Sequence, residues 1–280
     1  MTTADRYAVF GHPIAHSQSP IIHSLFAKET HQDIHYIAQD VPAEKFEQSI
    51  KEFFNSGGKG VNCTVPLKEL AWQRADKRTQ RAEISGAVNT LALQNDGSLL
   101  GDNTDGIGLV RDLNENLDIS LIGQNILLLG AGGASRGILL PLLDQKPGKI
   151  VIANRTIEKA ITLAEQFAGF GPVSGCGFDA LNNIHFDLIL NATAASLQND
   201  LPPLPDGCLT THGCCYDLAY GSQPTPFVRW GDEHDAKIST DGVGMLVEQA
   251  AEAFLLWRGV MPSTGPVIEL LNKQRGMHCP

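Results

Sequence analysis

The chain has 280 residues, enough for two compact domains, and its 42% apolar and 19% charged residues exclude a disordered polymer. Its 31 acidic residues outnumber 21 basic ones for a net charge of −10, scattered rather than blocked, which argues against a nucleic-acid partner. Residues 1–12 lack a signal-peptide pattern, and no run approaches the about 20 apolar residues of a spanning helix, so a cytoplasmic chain with no membrane partner is expected.

In chain order the elements alternate between strand and helix. Tyr7–Phe10 reads as a short apolar strand, followed by a turn-rich loop from Gly11 to Gln18. Ser19-Pro20 reads as N-cap and first turn of a helix to about Thr30. Ile34–Ala38 is a strand. Ala43–Asn55 is a helix with Phe46, Ile50, Phe53 and Phe54 inward, closed by Gly57-Gly58. Gly60–Val65 is a third strand, stopped by Pro66, and the next helix carries Lys68. Ala87–Leu93 and Ser98–Gly101 flank Asn95-Asp96-Gly97, a strong hairpin signal. A helix should run from Thr104 to about Leu117.

A second α/β unit starts at Asn125. Ile126–Leu129 is an apolar strand, then Gly130-Ala131-Gly132-Gly133-Ala134-Ser135 opens a helix to about Leu143, and Ile150–Ala153 is the next strand. Phe186–Leu190, Cys214–Leu218 and Lys237–Ser239 read as later strands. Continuous apolar strands alternating with helices imply an α/β fold with a doubly wound parallel sheet. Two helices close the chain, 244–258 and 265–274.

Six cysteines (Cys63, Cys176, Cys208, Cys214, Cys215 and Cys279) form no CxxC pair, so they read as free thiols rather than metal ligands. His31 and His35 have the i, i+4 spacing of a metal pair, but they lack its glutamate and border a strand, so they read as surface residues. No metal is expected.

A bare GxGxxG turn carries little information, but this one sits between an apolar strand and a helix. Gly130 permits the tight turn, Gly132 lets a pyrophosphate approach the backbone, and the helix N-terminus offers N–H groups and its dipole. Ser135 holds the third glycine position. An NAD site places a carboxylate at the end of the second strand, about two dozen residues past Gly130. Here that position reads Asn154-Arg155-Thr156, and Arg155 offers a permanently charged planar donor set for a 2′-phosphate. NADP(H) is therefore the expected cofactor, with a solvated surface arginine as the plainer alternative.

The first half supplies polar residues in short loops: Ser17 and Ser19, Asn62 and Thr64, Lys68, Asn89, and Gly101-Asp102-Asn103-Thr104-Asp105-Gly106. Hydroxyls and amides suit a polyhydroxylated small-molecule substrate. Reducing a ketone also needs a proton donor, which a lysine near an aspartate can provide. Taken singly, Lys68 could be a surface lysine and Asp105 a carboxylate favoured by a helix N-terminus.

Seven segments in register resemble the successive motifs of the shikimate dehydrogenase family. They are His16–Pro20, Asn62–Lys68, Gly86–Thr90, Asn103–Gly106, Gly130–Arg136, Asn154–Thr156 and Asp241–Leu246, spanning residues 6 to 271. The resemblance implies reversible, NADP-dependent reduction of 3-dehydroshikimate to shikimate in aromatic amino-acid synthesis. Carried over residue by residue, Lys68 and Asp105 form the catalytic pair. Ser17 and Ser19, helped by Tyr220, would hold the substrate carboxylate; Asn62, Thr64, Asn89, Asp105 and Gln249 would bind ring hydroxyls. Gly130, Ala131, Gly132, Gly133, Ala134, Ser135, Asn154, Arg155, Thr156 and Lys159 would bind the cofactor, with Leu218 and Gly242 lining its nicotinamide pocket.

The same resemblance implies two domains. An N-terminal α/β substrate domain (1–105, with returning helices from about 244 to 280) would precede a Rossmann-type NADP-binding domain (106–243). The chain departs from the family at Gln18, where a lysine is expected, at Leu218, where some members carry methionine, and in 191–196, which replaces the usual Ser-Ser-Gly ending. The alternatives are a quinate/shikimate dehydrogenase using either cofactor, a non-catalytic binding protein of the same fold, and a methylenetetrahydrofolate-type dehydrogenase. A monomer or homodimer is consistent with the sequence.

Overall fold

In the computed structural model the described residues are 4–277, grouped into two compact units. Residues 4–108 with Val247–Val267 form the first; Leu109–Leu246 with residues 268–277 form the second. Cys279 lies outside the described residues.

The first unit contains β1 (Asp5–Gly11), α1 (Ser19–Glu29), β2 (Ile34–Asp40), α2 (Phe46–Asn55), β3 (Gly58–Cys63), α3 (Lys68–Arg74), β4 (Lys77–Arg78), α4 (Gln80–Ser85), β5 (Thr90–Leu93) and β6 (Leu99–Asp102). Its mixed sheet has the order β2-β1-β3-β5-β6-β4. β1 runs parallel to β2 and β3, while β5 is antiparallel to β3 and β6. The β5–β6 hairpin turns where the sequence predicts, with Gly97 at φ 82° and the Ser98 N–H donating to Asp96 Oδ1 at 3.0 Å. Phe46, Ile50 and Phe53 line one face of α2 and pack on Phe10, Val61, Leu67 and Leu91. Gly60 has to be glycine: the Trp257 indole occupies the place a Cβ would need, and its Nε1–H donates to Leu91 O at 3.0 Å.

α5 (Asp105–Arg111) ends in a π-helical turn, Asp112–Asn116, and leads to β7 (Asn125–Leu129), α6 (Gly133–Asp144), β8 (Lys149–Ala153), α7 (Ile157–Phe167), β9 (Val173–Cys176), β10 (Phe186–Asn191), β11 (Leu209–Asp217), α8 (Pro226–Glu233) and β12 (Ile238–Asp241). These six strands form an all-parallel sheet in the order β12-β11-β10-β7-β8-β9. That is the doubly wound order of dinucleotide-binding sheets, and it reverses between β7 and β10. Ile126 to Leu129 are fully buried, as continuous apolar strands covered on both faces must be. α9 (Val243–Arg258) and α10 (Gly265–Gln274) end the chain. No described helix is long and apolar enough to cross a membrane.

The structure differs from the sequence reading in several places. Ser19 is the first helical residue rather than the cap: Gln18 takes that place with αR backbone and no side-chain hydrogen bond. Ala43–Lys45 is a separate 3-10 turn before α2. α4, β4, α7, β9 and α8 are additional elements. The last residues do not all return to the first unit. Val247–Val267 group with it, but residues from Ile268 on group with the second. The Arg275 guanidinium there donates to Asp241 Oδ2 at 2.6 Å and Gly221 O at 2.9 Å, a buried ion pair that holds the chain end.

Candidate active site

In the first unit, Lys68 begins α3 and Asp105 begins α5. A carboxylate in the first helical turn is favoured by the macrodipole, and a cation there is opposed by it. Lys68 therefore stands against local preference, as functional residues often do. Leu67, fully buried, anchors it from one side, and the Val88 N–H donates to Lys68 O at 2.9 Å from the other. Its Nζ donates to Asp105 Oδ2 at 2.5 Å, with side-chain exposures of 28% and 12%. The pair is thus sheltered yet reachable, and the ammonium keeps N–H groups beyond the one it gives Asp105.

The other Asp105 oxygen, Oδ1, accepts from Asn89 Nδ2 at 2.8 Å. The Asn89 amide also donates to Thr104 Oγ1 at 2.9 Å and to Gln249 Oε1 at 3.3 Å. Its Oδ1 accepts from the Thr104 N–H at 2.9 Å. Asn62 donates to Asn89 O at 3.2 Å and to Thr90 Oγ1 at 3.0 Å, and it accepts from the Tyr36 hydroxyl at 2.7 Å. The predicted residues Lys68, Asp105, Asn89, Asn62 and Gln249 therefore form one connected, mostly buried network. Ser17 Oγ accepts from the Ser19 N–H at 3.3 Å, so these two share one loop turn. Thr64 follows β3, and its N–H donates to Phe10 O at 2.9 Å.

Tyr220, Leu218 and Gly242 belong to the second unit. The Leu218 N–H donates to Asn191 O at 2.9 Å, and the Gly242 N–H donates to Ala219 O at 3.3 Å. A Cβ on Gly242 would collide with Leu218 O, so the two predicted nicotinamide neighbours lie in direct backbone contact. Burial raises the Tyr220 phenol above its ordinary range, and Arg275 opposes that rise.

The glycine turn suits a dinucleotide. Gly130 has φ 99°, a backbone that favours glycine, and Ser135 Oγ donates to Gly130 O at 2.8 Å to clamp the turn. Ser135 is fully buried, so a small residue is required there. Gly132 and Gly133 have open space where a Cβ would stand, which leaves the N-terminus of α6 bare to a phosphate. Ala131 and Ala134 complete the turn without bulk. Asn154 Nδ2 donates to Thr156 O at 2.8 Å and shapes the loop after β8. Arg155 and Lys159 are exposed, and Arg155 has no carboxylate partner among the described residues. The residues present therefore fit a dinucleotide bearing an extra phosphate on its ribose.

Tyr36, Thr90, Asn103 and Asp217 also take part in these networks. Asn103 Oδ1 accepts from the Asp105 N–H at 3.2 Å. Asp217, fully buried, gathers hydrogen bonds from Ser196, Thr225, Asn191 and the Ala219 N–H, so the altered 191–196 loop is tied to the end of β11. Burial raises its carboxyl above the usual range against those bonds. Thr90 and Asn103 are end members of two family motifs, which is their signal in the sequence; nothing local marks Tyr36 or Asp217.

Three family profiles match the chain: a shikimate dehydrogenase substrate binding domain over residues 9–91, a shikimate/quinate 5-dehydrogenase domain over 112–198, and a shikimate 5′-dehydrogenase C-terminal domain over 242–271. The shikimate dehydrogenase (NADP(+)) of Methylococcus capsulatus is 63% identical over 98% of this chain and 99% of its own length. The chain belongs to the shikimate dehydrogenase family. The shikimate dehydrogenase (NADP(+)) of Alkalilimnicola ehrlichii is 55% identical over 96% of this chain and 99% of its own. The solved shikimate 5-dehydrogenase of Thermus thermophilus, in complex with NADP(H) and shikimate, is 34% identical. It superimposes with a TM-score of 0.85 over 97% of this chain and 99% of that one.

Proposed function

We propose that this chain, an NADP-dependent oxidoreductase of the shikimate dehydrogenase family, reversibly reduces 3-dehydroshikimate to shikimate with Lys68 and Asp105 as its catalytic pair. The observation that carries the reading is the 2.5 Å Lys68–Asp105 contact, braced at the other carboxylate oxygen by Asn89. NADPH supplies the hydride. Lys68, as ammonium, donates a hydrogen bond to the C3 oxygen of the substrate and delivers a proton there as the alkoxide develops. Asp105 holds the ammonium in place and orients a ring hydroxyl.

Ser17 and Ser19 receive the substrate carboxylate. Thr64, Asn62, Asn89 and Gln249 address the ring hydroxyls. Gly130 to Ser135 and the α6 N-terminus receive the pyrophosphate; Asn154, Arg155, Thr156 and Lys159 receive the adenosine end and its 2′-phosphate; Leu218 and Gly242 border the nicotinamide. Five described cysteines with free thiols support a reducing, cytoplasmic setting.

A second reading, quinate as an additional substrate, draws on the match of residues 112–198 to the shikimate/quinate 5-dehydrogenase domain. Efficient NAD use is disfavoured by Asn154-Arg155-Thr156, which has no ribose-binding carboxylate. The test is Lys68→Ala. Turnover of shikimate with NADP+ should fall by about 10²-fold or more, with NADP+ affinity retained. Near-parental turnover would remove Lys68 from the chemistry.

A further inference from the structure

The bonds around Asn89 have a direction that two backbone groups enforce. The Thr104 N–H can only donate, so the Asn89 atom it meets at 2.9 Å is the amide oxygen, and Nδ2 must face Asp105. Asn89 O can only accept, so the Asn62 atom it meets at 3.2 Å is Nδ2, and the Asn62 oxygen must face Tyr36. Thr90 stands between the two amides. Its hydroxyl accepts from Asn62 Nδ2 at 3.0 Å, so its one proton is left for Asn89 Oδ1 at 2.8 Å.

The result is a one-way chain of donors: Tyr36 to Asn62, Asn62 to Thr90, Thr90 to Asn89, Asn89 to Asp105. It ends on the carboxylate whose second oxygen receives Lys68. Every member is buried, Thr90 completely. Such chains polarise one another in a low dielectric and have a single satisfied arrangement.

We propose that Thr90 is a positioning residue for the Lys68–Asp105 pair: the Thr104 N–H sets which way the Asn89 amide faces, the Thr90 hydroxyl adds a second donor that holds it there, and Asn89 in turn fixes the rotation of the Asp105 carboxylate toward Lys68. This rests on the catalytic reading above. Thr90 is fully buried, and it acts through Asn89. Tyr36 is the remote anchor, its ring stacked on His23 with centroids 4.1 Å apart, and burial holds its phenol well above the ordinary range so that it keeps its proton to donate.

The test compares Thr90→Val, which keeps the shape and loses the hydroxyl, with Thr90→Ser, which keeps the hydroxyl and loses a methyl. Turnover of shikimate and NADP+ is measured at saturation, alongside KM for shikimate and the thermal midpoint. Thr90→Val should lower kcat about tenfold, the rate equivalent of one lost hydrogen bond, and leave the shikimate KM within about threefold. Thr90→Ser should recover kcat to within about threefold of the parent. In an Asp105→Asn background, Thr90→Val should change kcat by less than about twofold, because the group it positions is gone.

Should Thr90→Val fail to fold, Tyr36→Phe carries the same test, with a smaller fall in kcat that also vanishes in the Asp105→Asn background. Equal losses in the Val and Ser variants overturn the relay and leave the catalytic reading standing. So does an undiminished kcat in Thr90→Val, or in Tyr36→Phe where that variant stands in for it, and so does the full effect persisting without Asp105. An unaltered chain that does not turn over shikimate and NADP+ overturns both.

Discussion

Asp105→Asn isolates what the carboxylate does, because both of its oxygens accept. One receives the Lys68 ammonium at 2.5 Å and the other the Asn89 amide at 2.8 Å. An asparagine at 105 offers one acceptor and one donor. The Asn89 amide cannot turn to compensate, since the Thr104 N–H fixes its oxygen. The new side chain therefore directs its oxygen to Asn89 and its NH2 at the Lys68 ammonium, two donors face to face. The lost bond to a charged partner is worth about 1.5–3 kcal/mol, or roughly tenfold to a hundredfold in rate from the misplaced ammonium alone. Loss of efficient proton transfer brings the fall in kcat to about 10²–10⁴-fold.

The assay is initial-rate formation of NADPH from NADP+ and shikimate at saturation. Combined with Lys68→Ala, the effects should fall well short of additive, because the two residues work as a unit. A kcat for Asp105→Asn within about threefold of the parent, or strictly additive losses, would refute the pairing.

Arg155→Ala should raise KM for NADP+ steeply and leave KM for NAD+ unchanged, measured as parallel saturation curves; equal losses with both cofactors would contradict the 2′-phosphate contact. His23 titrates near 6.5 when unfolded, but burial pushes it down to about 3 in the fold. Between those values the unfolded chain binds more protons, so folding stability should decline as pH drops from about 6.5 toward 3, by up to roughly 1.4 kcal/mol per pH unit from this residue. His23→Phe should flatten that slope in urea midpoints taken at pH 7 and pH 5; an unchanged slope would show that His23 does not supply it.

Local pattern carried much of the fold and the chemistry into view. The apolar runs of β7 and β8, the glycine turn and the Asn95-Asp96-Gly97 hairpin each combine a strong preference with burial, so sequence and structure agree on them. Lys68 and Asp105 are 37 positions apart, so their pairing is legible in the sequence through the family resemblance and not through local pattern, and the fold brings the two side chains into contact. Thr90 ends one of the family motifs, but its role and that of Tyr36 rest on hydrogen bonds between distant strands, which leave no local periodicity.

β4 spans two residues, too short to show an alternation. Ser19-Pro20 carries the composition of a helix start, and the backbone places the boundary one residue earlier. After α10, Arg275 reaches Asp241, a pairing that charge content alone does not reveal.

Hydride exchange between shikimate and NADP is read directly as the growth of NADPH absorbance when shikimate and NADP+ are added to the unaltered protein. Quinate in place of shikimate and NAD+ in place of NADP+ serve as parallel controls. Rapid NADPH formation is expected with shikimate and NADP+, and a far lower kcat/KM when either is replaced. No NADPH from shikimate, or equal efficiency with NAD+, would rule out an NADP-dependent shikimate dehydrogenase.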